Sequence, residues 1–160
     1  MNRLEIYIIL GSLMALGSLA GCGGGGDGSP PAPTAVVTLS TSGSLPGGVT
    51  ALSGAYVNLA IPATVSGTPQ VVQSGMLAGS KGSISFRSYS AATATRSGSL
   101  KFYVVSNDNT SFTIGEFASV SCSFAGTPPT ASDFPYAEFL PADLLQQPVI
   151  VDKSAAVTIR

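Results

Sequence analysis

The sequence predicts an all-β domain of about nine strands stacked as a two-sheet sandwich. Three observations carry that expectation. Apolar residues recur at every second position in five separate segments, Gly and Pro clusters punctuate them at short intervals, and no long segment has helical period.

The five segments come in chain order. Val37, Leu39 and Thr41 alternate with Thr38 and Ser40. Ala55, Val57, Leu59 and Ile61 alternate with Tyr56, Asn58 and Ala60. Leu100, Phe102 and Val104 alternate with Lys101, Tyr103 and Val105. Ala118, Val120, Cys122 and Phe124 alternate with serines, and Ala155, Val157 and Ile159 close the series. Each set places one apolar face inward on a half-buried strand. Weaker candidates lie at 69–76, 82–89, 134–139 and 148–151. Turn residues separate them, among them Pro46-Gly47-Gly48, Ser97-Gly98 and Asn107-Asp108-Asn109. The nearest approach to a helix is 137–147, which Pro141 interrupts, so a turn is expected there.

Composition narrows the function. The 160 residues carry seven basic and eight acidic side chains, so no basic stripe is available for nucleic acid. Histidine is absent, which removes the commonest general base and metal ligand. Tryptophan is absent too, which weakens a sugar-stacking site. Ser, Thr, Gly and Asn take the place of charge on the surface.

The N-terminus reads as an address. Arg3 precedes an apolar run from Ile6 to Ala20 that is broken by Gly11 and Gly17. The run is too short for a stable membrane-spanning helix and fits a signal h-region. Leu19-Ala20-Gly21-Cys22 follows and resembles the bacterial lipobox. The resemblance implies a signal peptide over 1–21, cleavage before Cys22, and Cys22 lipidated as the membrane anchor. Gly23, where an Asp would retain the protein in the inner membrane, favours the outer membrane of a Gram-negative cell. Residues 22–34 are linker chemistry, a glycine run stiffened by Pro30, Pro31 and Pro33. No strand precedes the glycines and no Lys follows, so they are not a phosphate loop. The folded domain is expected over 35–160.

The strand order resembles the cohesin domain and, more broadly, the jelly-roll superfamily of cohesins and carbohydrate-binding modules. Ala35 to Thr41 looks like the family's first strand, and Gly54 to Pro62 like the second, which ends in a proline. Gly98 to Val105, a polar turn, and Ile114-Gly115-Glu116-Phe117-Ala118 leading to Cys122 resemble its hairpin; Phe134 fits the next strand. The resemblance implies a nine-stranded jelly-roll sandwich that binds a protein partner, as cohesins bind dockerins. The alternative it implies is a polysaccharide-binding module. No motif pins the contact residues.

No catalytic constellation is legible. Lys81, Lys101 and Lys153 lack diagnostic serine spacing, and Glu116, Asp133, Glu138 and Asp143 form no recognisable pair. An enzyme and a bound cofactor are therefore not expected. Asn107-Asp108-Asn109 could offer oxygens to a structural calcium, but a polar hairpin tip is the simpler reading. Cys122 falls on the inward face of its strand and reads as a small apolar filler. The outward positions Tyr56, Tyr103 and Val105 are the candidate binding face, since exposed aromatics on a sheet can stack sugars or bury against protein. The expectation is thus a lipid-anchored, non-catalytic envelope protein. Its domain docks a protein or, alternatively, a polysaccharide, or is a passive envelope component.

Overall fold

The structure, a computed structural model, describes residues 32–160. The signal segment, Cys22 and the glycine run of the linker lie outside the described residues. Eight strands follow in order: β1 (Thr34–Ser42), β2 (Leu52–Ile61), β3 (Val65–Gln73), β4 (Gly82–Ser90), β5 (Gly98–Ser106), β6 (Gly115–Phe124), β7 (Tyr136–Asp143) and β8 (Asp152–Ile159). They form two antiparallel four-stranded sheets. Sheet A has the order β3-β6-β1-β8 and sheet B the order β4-β5-β2-β7.

The topology is a chain folded in half about the β4–β5 hairpin. In the ladders β1–β8, β2–β7, β3–β6 and β4–β5, the first half pairs with the second in mirrored order. Successive ladders fall in alternate sheets, and the β1–β6 and β2–β5 ladders join them side by side.

The alternation decides what is dry. Val37, Leu39, Val57, Leu59, Ile61, Phe102, Val104 and Val120 all have their side chains in the shared core. Burying a side chain of this size contributes about 1.5–3 kcal/mol each. Phe117 of β6 crosses between the sheets, stacking on Phe139 of β7 with ring centroids 5.9 Å apart. Cys122 is buried, its thiol donating weakly to the Ala35 carbonyl at 3.8 Å, and burial pushes the thiol pKa up.

Two expectations change. The expected ninth strand at 148–151 makes only one isolated bridge, Pro148 to Ala142, because the chain leaves β7's edge there to cross to sheet A. The turn expected around Pro141 begins later: Pro141 lies inside β7, and the turn runs from Asp143 to Gln147. A proline is tolerated there because β7 is an edge strand, where a missing N–H need break no ladder.

Both open sides of the sandwich are latched. On one side the Tyr136 hydroxyl of β7 donates to the Ser154 carbonyl of β8 at 3.0 Å, and Lys153 lies 5.9 Å over the Phe139 ring. On the other, Arg87 of β4 donates to the Val71 carbonyl of β3 at 3.2 Å.

Candidate functional site

The outer face of sheet B carries a hollow of about 590 Å³. Strand register builds it. Tyr56 of β2 stands opposite Tyr103 of β5 on one side and Leu140 of β7 on the other. In the next row Gly54 stands between Val105 and Ala142. A glycine flanked by larger side chains leaves a depression. The strand also needs glycine there, since a Cβ at Gly54 would lie 2.6 Å from the Val104 carbonyl oxygen.

The walls are apolar. Tyr103 is 45% exposed and Leu140 53%, while Tyr56 is half-buried beneath them. The two tyrosine rings are 5.0 Å apart and inclined at 50°. The rim is polar: Ser53, Glu138 and Gln146. Asp143 holds the Gln146 wall, its Oδ1 accepting from the backbone N–H of Leu145 and of Gln147, both at 2.8 Å. Partial burial, then the Glu138 carboxylate and Tyr103, raise the Tyr56 phenol above its ordinary pKa of 10.0. Tyr56 therefore stays neutral and can donate a hydrogen bond at physiological pH.

The three residues singled out from the sequence, Tyr56, Tyr103 and Val105, thus lie together in one hollow. Leu140, Gly54 and Gln146 were not legible. Leu140 has the outward parity of β7, but the adjacent Pro141 made that segment read as a turn.

The other candidates do structural work. Asp108 caps its own loop: its Oδ1 accepts from Thr110 N (3.1 Å), Ser111 N (2.8 Å) and Ser106 Oγ (3.2 Å), and its Oδ2 from Ser111 Oγ. These donors, Ser111 foremost, hold its carboxyl well below the usual range. Asn109 takes the left-handed conformation at the tip, and Asn107 bonds the Ser80 carbonyl. Asp133 closes a reciprocal cap with Thr130, which lowers its pKa. Glu116 sits at the start of β6, and Glu138 is the one sequence-named carboxylate on the hollow's rim. Among the described residues no three His, Cys, Asp or Glu side chains gather as a metal site. Among them, too, no helix is long and apolar enough to cross a membrane.

Comparison with protein-family models, with curated proteins and with solved structures finds no match for this chain.

Proposed function

We propose that this chain is a lipid-anchored envelope protein whose cohesin-like jelly-roll domain docks a partner protein in the hollow of sheet B. The single observation that carries the reading is the apolar depression formed by Tyr56, Tyr103, Val105 and Leu140 around Gly54. An apolar, aromatic-rich centre inside a polar rim is the anatomy of a protein interface. The mirrored ladder order about the β4–β5 hairpin is consistent with a jelly roll.

The placement of the hollow fits a tethered display module. The chain enters β1 where Thr34 and Arg160 exchange backbone hydrogen bonds of 3.0 and 2.8 Å. The hollow lies toward the other end of the sandwich, where Leu52 N donates to the Phe112 carbonyl at 2.7 Å. A nine-residue strand such as β1 spans about 25–30 Å, which separates the chain's entry into β1 from the hollow.

The polysaccharide reading is less favoured, because two rings inclined at 50° do not form one flat stacking platform. The test is site-specific photocross-linking of the full chain in its native membrane. A photoreactive residue at position 103 is expected to capture one protein in stoichiometric yield, and one at Ser121 on sheet A to capture none. Equal capture from both positions, or none from 103, would overturn the proposal. Glycan binding abolished by Tyr103→Ala would replace it with the polysaccharide reading. Mass spectrometry of the mature protein tests the anchor separately: a diacylglycerol on Cys22 is expected, and an unmodified thiol contradicts it.

A further inference from the structure

The sandwich has four edge strands, and three of them are interrupted. β3 breaks register between Ser66 and Gln70, where Gly67 takes a positive φ and Pro69 removes a donor. β4 breaks between Ser85 and Arg87. β7 has two register shifts and contains Pro141, and the returning loop bonds its end through Asp143 N to Gln147 O and Val149 N to Pro141 O. Such interruptions are how β-proteins keep an edge from pairing with another chain.

β8 has none. It pairs with β1 over eight consecutive positions without a shift, and Asp152-Lys153-Ser154-Ala155-Ala156-Val157-Thr158-Ile159 contains neither Gly nor Pro. Thr34 and Arg160 exchange both backbone bonds, which fixes the phase of the ladder. By alternation Thr158, Ala156, Ser154 and Asp152 turn their backbone groups toward β1. The N–H and C=O of Lys153, Ala155, Val157 and Ile159 then point away from the sheet. No other described residue hydrogen-bonds them.

We infer that β8 is a homotypic docking edge, pairing antiparallel with β8 of a second copy of this chain about a two-fold axis at Ala156. Backbone phase allows this register, and side-chain charge selects it from its neighbours. Outward-facing groups must meet outward-facing groups, so a symmetric pairing is allowed only when odd-numbered residues oppose odd-numbered ones. With the axis at Ala156, Ala155 opposes Val157 of the second copy and Lys153 opposes Ile159, and every outward N–H and C=O is bonded. On the outer face the same register sets Asp152 against Arg160, twice by symmetry. Axes one residue to either side, at Ala155 or Val157, keep the backbone phase but lose this pair.

The apolar surface agrees. Ile159 is 42% exposed although it shares the inward face of Ala155 and Val157. Ile150, just before β8, is 92% exposed. Ile150 and Lys153 both line a second hollow of about 380 Å³, with Phe139, Pro148 and Val151. Opposed to Lys153, the second copy's Ile159 lies beside that hollow. The pairing joins two four-stranded sheets into one of eight strands and leaves the sheet B hollows on both copies uncovered.

Disulfide trapping of the full chain in its membrane tests the register. Directly opposed residues in a non-hydrogen-bonded pair sit about 4.5 Å apart at Cα, within disulfide reach. Under mild oxidation Ala156→Cys is expected to run as a covalent dimer, whereas Ser154→Cys alone, Thr158→Cys alone and the unsubstituted chain are not. Mixing the Ser154→Cys and Thr158→Cys chains is expected to restore the dimer. Asp152→Arg should cut the trapped fraction at least several-fold, and Asp152→Arg with Arg160→Asp should recover it. Unchanged thermal unfolding of each variant shows that the fold is intact. The inference is overturned by no dimer from Ala156→Cys, by equal trapping at all three positions, or by trapping of a different protein at Ala156→Cys.

Discussion

The two sheets are alike on the inside and different on the outside. Inward, the central strands of both carry dry apolar side chains: Val37, Leu39, Val120 and Phe124 in sheet A, and Val57, Leu59, Phe102 and Val104 in sheet B. Outward, sheet A presents mostly small polar groups, Thr38 and Ser40 on β1, Ser119, Ser121 and Ser123 on β6, Ser154 and Thr158 on β8, with Val36, Val72 and Ala156 scattered among them. Sheet B instead presents Tyr56, Tyr103, Val105 and Leu140 around a glycine. Core packing cannot account for that difference, because these side chains point away from the core. The difference is the ground on which sheet B is proposed as the binding face.

The largest effect is expected where the sheets are alike. Phe102→Ala on sheet B and Phe117→Ala on sheet A should each cost about 3–5 kcal/mol in urea unfolding. A loss confined to one of them would mean the two layers do not share a core. Next comes the floor of the hollow. Gly54→Ala puts a methyl against the Val104 carbonyl and should cost about 1–3 kcal/mol while also filling the depression. Retained partner capture in that variant would move the site elsewhere.

Smaller still is the latch between the sheets. Tyr136→Phe removes the hydroxyl's bond to Ser154 and should cost about 1 kcal/mol. Burial raises the Tyr136 pKa above its ordinary 10.0, so the folded state resists ionisation more than the unfolded one. The stability this residue gives is therefore present below pH 10.0 and lost as pH rises above it. Alkaline unfolding should be blunted in Tyr136→Phe. The smallest change in stability is expected on the two outer faces. Tyr103→Ala and Ser121→Ala should each shift it by less than about 1 kcal/mol, yet only Tyr103→Ala should weaken capture, by tenfold or more.

Four of the five alternating strands, β1, β2, β5 and β6, were legible because each has one face committed to the core. Val57, Leu59, Phe102, Val104 and Val120 all point where parity predicts. Legibility failed at the edges. Ile159 keeps inward parity but is half open, since no strand of the described residues lies beyond β8. β7 was misplaced because a proline that breaks a central strand is harmless at an edge. For the site, parity alone found Tyr56, Tyr103 and Val105, each of which follows an inward residue on a clear strand. Leu140 and Gly54 were hidden, because the hollow depends on cross-strand register, and register is set by bulges at Leu52/Gly54 and Asn58/Leu59 that no local pattern announces.

Hydroxyl-radical footprinting compares the faces within one molecule. Val72 on sheet A is 52% exposed and Tyr103 on sheet B 45%, so each serves as the other's reference in the purified full chain. In intact cells that make the protein, labelling of Tyr103 relative to Val72 is expected to fall several-fold as a partner covers the hollow. An unchanged ratio would contradict the assignment of sheet B as the binding face.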